Sequence, residues 1–115
     1  MNWYLTKLIF SIDAEYDNGK SQFDEQLRLV TAINESEAYF KAKNMGKGLQ
    51  TKIFTEKNEA ILWNFVDVSE VVSVDEIKDG IEVYSSTHET YDREIFIDSV
   101  RQKGIALQAK NLLLF

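Results

Sequence analysis

Apolar and polar positions along the chain switch between two periods. Residues 3–12 carry Tyr4, Leu8, Phe10 and Ile12 on one parity and Trp3, Leu5 and Ile9 on the other. That pattern, rich in aromatic and β-branched residues, predicts a central strand covered on both faces at least in part. Asp17-Asn18-Gly19-Lys20 follows, and Asn-Gly between two strand-like runs predicts a tight hairpin, because both residues tolerate positive φ. In residues 23–33, Phe23, Leu27, Leu29 and Ile33 share one parity and Asp24, Gln26 and Arg28 the other. The expectation is a strand covered only on its apolar side near its start.

The period then becomes helical. Asn34 is a good N-cap with Glu37 three residues on, and Ala38, Ala42 and Met45 form a stripe beside Tyr39. Gly46 reads as a C′ residue ending that helix. Glu35 and Glu37 near its start, and Lys41, Lys43 and Lys47 toward its end, complement the helix dipole. Residues 51–55 read as a short strand and 56–59 as a polar turn. Residues 60–72 read as a long strand with a bulge or bend where Asp67 and Ser69 interrupt the apolar parity. Residues 74–78 fit a single turn. Asp79-Gly80 is a second hairpin signal leading into a strand over 81–86. Residues 91–103 have helical spacing at Phe96, Val100 and Lys103, with Thr90 or Asp92 as cap, and Gly104 weakens or breaks that helix. The apolar end, Asn111-Leu112-Leu113-Leu114-Phe115, is expected to pack on its own core or on a partner.

The expected fold class is therefore α+β: an antiparallel or mixed sheet of about five strands in the order β-β-α-β-β-β, one helix packed on it, and a C-terminal helical segment. A chain of 115 residues fits one domain, 1–115. The open face of such a sheet needs a cover, in cis from the C-terminal segment or in trans from a second copy.

Composition narrows the chemistry. There is no cysteine, which removes disulfides, thiolate metal sites and a cysteine nucleophile. The net charge of -6 with scattered basic residues argues against nucleic acid as a partner. No apolar run is long enough for a membrane span and the start lacks the features of a signal peptide, so the expected location is the cytoplasm.

Four groups of residues invite a chemical reading. Asp13, Glu15, Asp17, Ser21 and Asp24 echo the oxygen spacing of a calcium loop, but Asn18 replaces the glycine that the loop requires and the flanks read as strands. Glu25 falls among apolar residues, where a carboxylate must be paired, protonated or near an edge; Arg28 or Lys7 are the cations in reach. A small polar pocket built from Trp3, Tyr4, Glu25, Arg28, Trp63 and Asp67 is the candidate ligand site. His88 beside Glu89 is the only histidine, so it cannot build a multi-histidine metal site, and as a base it lacks a visible partner. The aromatics Trp3, Tyr4, Phe10, Phe40, Trp63, Phe65 and Tyr84 stand at strand or helix spacing and read as core.

Four segments carry a resemblance: Asn2-Trp3-Tyr4, then 23–29 (Phe-Asp-Glu-Gln-Leu-Arg-Leu), then 63–68 (Trp-Asn-Phe-Val-Asp-Val), then Glu82-Val83-Tyr84-Ser85. In wording and spacing the chain resembles the small bacterial domain-of-unknown-function family 4288 over about residues 1–88, leaving 89–115 as a helical extension. The resemblance implies no activity and carries over no functional residue. No catalytic set, cofactor or metal is implied. The expected function is a non-catalytic binding or interaction module, self-associating as a dimer or masking a basic protein partner. The alternative is a small enzyme or small-molecule-binding domain using a polar pocket near Glu25, Asp67 and Trp63.

Overall fold

The computed structural model describes residues 1–14 and 19–112 (the last of these by its backbone alone). Its elements are β1 (Asn2–Ala14), β2 (Gln22–Ala32), α1 (Glu35–Gly48), β3 (Thr51–Phe54), β4 (Ala60–Val74) and α2 (Arg93–Leu112). The strands form one sheet in the order β2-β1-β4-β3, every pair antiparallel. The α+β class is as expected, with four strands rather than about five. The expected central strand is β1, which pairs with β2 and β4 along its length.

The register defines two faces. Tyr4, Thr6, Leu8 and Phe10 lie on the face that carries α1, opposite Val30, Arg28, Gln26 and Asp24 of β2. Buried Tyr4, Val30, Ala32 and Ala38 form one end of the core; Leu8, Phe10, Ala42 and Val68 form the other, with Tyr39, Trp63 and Phe65 packed against them. Leu8 and Phe10 are at most 1% exposed, each contributing up to about 3 kcal/mol through burial. The Asn34 side chain accepts from the Glu37 N–H at 2.8 Å, so the expected cap is present.

Gly46 does not end α1. The helix continues to Gly48, and Leu49 closes it in the right-handed region with its N–H on the carbonyls of Gly46 and Met45. Gly46 is buried, and a Cβ there would collide with the ring of Phe65. Its missing side chain serves close packing of helix on sheet rather than backbone freedom. Phe65 in turn meets Phe10 edge to face, with centroids 5.5 Å apart.

β4 carries the expected irregularity. Its pairing with β1 shifts between Lys7 and Leu8 and again between Ile9 and Phe10, so Ser69 and Val66 have no partner on β1. The expected turn at Asp79-Gly80 forms, with Gly80 at φ 84 and the Ile81 N–H on the Lys78 carbonyl, but no strand follows over 81–86 and no helical turn forms over 74–78. The chain instead attaches through a side chain: the Lys7 ammonium donates to the Tyr84 hydroxyl at 3.1 Å. Gly19 has φ 81, as a tight hairpin would need; Asn18, with Glu15 and Asp17 of the calcium-like loop, lies outside the described residues.

Residues Met1–Ser85 form one compact unit and Ser86–Phe115 another. In the second, α2 runs through Gly104 to Leu112, so that glycine does not break it. A mid-helix glycine costs roughly 1 kcal/mol, less than the surrounding turns of Ile, Ala, Leu and Gln recover. Asp92 opens the helix through its carbonyl, which accepts from the Phe96 N–H, while Thr90 Oγ1 holds the Asp92 N–H. Phe96, Val100 and Leu107 share one exposed side of it. The apolar stretch 113–115 lies outside the described residues.

Two glycine substitutions, two residues apart, should move stability in opposite directions. Gly46→Ala should destabilise by about 1–3 kcal/mol, because the Phe65 ring must move. Gly48→Ala, with open space at its Cβ, should stabilise by about 0.5–1 kcal/mol. Urea unfolding of both variants decides it; equal signs would refute the packing role of Gly46.

Candidate functional site

The sheet has one helix and two faces. On the face opposite α1, residues stand in rows across β2, β1 and β4: Thr31, Trp3 and Val74; then Leu29, Leu5 and Val72; then Leu27, Lys7 and Glu70. Glu25 lies opposite Ile9, and Phe23 opposite Ser11. Cover on this face is uneven. Leu5 and Val74 are buried, whereas Phe23 is 61%, Leu27 52% and Leu29 41% exposed, and Trp3 is exposed as well. Phe23, Leu27 and Leu29 lie on β2, an edge strand with a neighbour on one side only.

At the centre of this face stands a charged cluster. Lys7 Nζ lies 3.8 Å from Glu70 Oε1 and 4.9 Å from the centre of the Tyr84 ring, and the Tyr84 hydroxyl donates on to Glu70 at 3.4 Å. The hydrogen bond to Tyr84 raises the Lys7 pKa above its usual 10.5; burial opposes this, and Glu70 and Glu25 add to it. Lys7 is therefore a held cation rather than a nucleophile. Its only sequence signal is a lysine between Leu5 and Ile9 inside an apolar strand.

The helix-bearing face is polar where α1 does not reach. Arg28 donates through Nε and Nη2 to Gln26 Oε1 at 3.0 and 2.8 Å, and Gln26 Nε2 donates to Asp24 Oδ2 at 2.7 Å. Trp63 Nε1 reaches across β1 to the same Asp24 oxygen at 3.3 Å. This ladder borders the Phe10 end of the core. It also reverses the expectation for β2: the polar parity turns toward the helix, and the apolar parity of Phe23, Leu27 and Leu29 turns away. Val30 and Ala32 decide this, because the short connection to α1 requires them under the helix.

The residues proposed for a polar pocket are thus divided. Tyr4, Arg28 and Trp63 lie on the helix-bearing face; Trp3 and Glu25 lie on the other, with Glu25 exposed on an edge strand. Asp67 is engaged separately. Its Oδ1 accepts from the Val68 N–H at 2.7 Å and from the Tyr39 hydroxyl at 2.8 Å. These bonds, in that order of weight, hold its pKa below 3.8, aided by Lys43 and Lys47 and opposed by burial. His88 lies in the second unit, 3.2 Å from Ser86 Oγ, and exposed. A cleft of about 540 Å³ opens between Ser36 and Tyr39 of α1 and Ser69 and Val71 of β4, without a basic residue in its lining. Among the described residues no three His, Asp or Glu side chains are placed to hold a metal ion, and no helix is long and apolar enough to cross a membrane.

The fold and this surface define a two-layer α+β domain whose distinctive feature is a sheet face left apolar and only partly covered. The chain belongs to the family described as Domain of unknown function (DUF4288), whose sequence model matches residues 3–85. The match ends where the first compact unit ends. No curated protein and no solved structure matches the chain.

A carboxyl group whose folded pKa is lowered contributes stability above its unfolded value, and that contribution disappears as pH falls through the folded value. Asp67 should behave so, acting above pH 3.8 and losing its effect below it. Tyr39→Phe should raise the Asp67 pKa part of the way toward 3.8, since the Val68 N–H remains. A carbon-detected NMR titration reads the change; an unmoved midpoint would remove Tyr39 from the account.

Proposed function

We propose that this chain is a non-catalytic interaction module that engages a protein partner through the uncovered sheet face beside β2. The observation that carries the reading is the run of exposed apolar side chains on that face, Phe23, Leu27, Leu29 and Trp3. Exposed apolar groups in contiguous rows mark association surfaces more often than they mark idle surface. Glu25 and Glu70 on the same face, with the net charge of -6, suit a partner with basic groups at its rim, or a second copy offering Lys7. The alternative, a polar pocket near Glu25, Asp67 and Trp63, is disfavoured because Glu25 and Trp63 point from opposite faces and Asp67 Oδ1 is already engaged by Tyr39 and Val68. A bacterial cytoplasmic setting goes with this reading, as the lack of cysteine and of apolar spans does.

Leu27→Lys tests it, since that side chain is exposed and its replacement leaves the core alone. The new lysine stands opposite Lys7, so melting temperature should fall by about 5 °C at most. Retention of a binding protein from an extract of the native host on the immobilised chain should fall about tenfold or more. Equal retention by both proteins would defeat the reading.

A further inference from the structure

We propose that two copies of this chain join edge to edge along β2, antiparallel, about a two-fold axis at Gln26, so that Asp24 of each copy faces Arg28 of the other. The proposal rests on the interaction-module reading and names the partner: a second copy.

Three observations lead to it. First, β2 is an edge strand of 11 residues whose register with β1 runs without a shift. Proline, a bulge and shortness, which commonly blunt such an edge, are absent from β2; its remaining protection is charge, Asp24, Glu25 and Arg28, of which an oppositely directed second copy would match Asp24 with Arg28. The other edge is the four-residue β3. Second, the ladder on β2 has a direction: its acid end is Asp24, its middle Gln26, its basic end Arg28. A two-fold axis at the middle reverses one ladder against the other, so opposite charges meet at both ends. Directly opposed residues in an antiparallel pair have Cα atoms roughly 4.5–5.5 Å apart, within reach of an Arg–carboxylate contact.

Third, neighbouring registers are penalised. Partners across a continuous sheet must share a face, so registers change in steps that keep parity. An axis at Glu25 would set that carboxylate against its own copy. An axis at Leu27 would bring Phe23 opposite Thr31, whose carbonyl and hydroxyl already accept from Lys41 Nζ at 2.9 and 3.3 Å. The axis at Gln26 pairs 22–30 and stops one residue short of Thr31. It also sets Phe23 against Leu29 of the second copy, extending the apolar rows on the open face.

Sedimentation of the whole chain tests the proposal. The wild type should show a mass rising with concentration from 13.3 kDa toward twice that value. Asp24→Arg and Arg28→Asp should each weaken association about tenfold or more, because like charges then stand opposite. The double variant, D24R with R28D, restores opposite charges and should recover association. Because Asp24 also accepts from Trp63, hydrogen exchange on the unmodified chain gives a second reading: amides within 23–29 should gain protection as concentration rises. A wild type that stays at 13.3 kDa throughout the micromolar range, unaffected single variants, or a double variant that does not recover would each overturn the pairing. Leu27→Lys separates the two readings. Across the edge its lysine would face Glu25 of the second copy, so edge pairing should persist while face-on docking falls. A monomeric wild type that still loses a captured partner on Leu27→Lys would end the edge proposal alone.

Discussion

Within the first unit, one helix has to serve a four-stranded sheet with two faces, and most of that unit's structure follows from the shortage. A helix with its side chains is roughly 10 Å across, whereas four strands spaced at about 4.8 Å are wider than that. α1 therefore covers one diagonal, from Ala38 near Ala32 to Gly46 on Phe65. Gly46 sets the closeness of that crossing, because only a residue without a Cβ lets the helix rest on the ring. The remaining cover comes from elsewhere. Trp63 and the Asp24–Gln26–Arg28 ladder border the Phe10 end, and Tyr84 reaches Lys7 on the opposite face. What neither reaches is the apolar row along β2.

The sequence made β1, the capped start of α1 and the irregularity in β4 legible, because each rests on local rules: parity, a capping side chain, a polar break in an apolar run. It misled where a local rule has two readings. The alternation in β2 was correct, but alternation cannot say which face the helix takes. Val30 and Ala32, next to the connection into α1, settle that, and they outweigh Phe23, Leu27 and Leu29 farther back. Gly46 matched a helix end by position and proved to be a contact point, a property of tertiary packing that composition does not contain. Asp79-Gly80 announced a turn and delivered one, but the segment beyond it binds by the Tyr84 side chain rather than by a backbone ladder, so no fifth strand forms.

The candidate site was legible only in part, for a related reason. Trp3 and Tyr4 are adjacent on a strand, so period two alone assigns them to opposite faces; a pocket using both was strained from the outset. Glu25 did need an edge position, as a carboxylate among apolar neighbours should, and β2 supplies one. Asp67 drew notice for interrupting a strand, and the bulge there explains it: the irregular backbone lets its carboxylate take both the Val68 N–H and the Tyr39 hydroxyl. The cluster of Lys7, Tyr84 and Glu70 was hidden because its members are distant in sequence: the pairing of β1 with β4 sets Lys7 opposite Glu70, and the return of the chain after Gly80 adds Tyr84.

The asymmetry of the two sheet edges decides how far association can go. If both edges were long and unprotected, copies could add at either side and a fibre would grow. Here β3 is four residues long, and Lys52 stands within it, a combination that discourages a new strand. β2 alone is long and regular, and Lys41 closes it at Thr31. A contact that used the same edge of both copies would be isologous and would consume the long edge of each, leaving only β3 among the described strands, so it would end at two. In such a pair the charged ladder would do for register what a turn does in a hairpin, favouring the alignment in which Asp24 meets Arg28. Stability would come from the backbone pairing and the apolar rows, and specificity from Asp24 and Arg28, which is the usual division of labour when charged groups meet at a partly exposed interface.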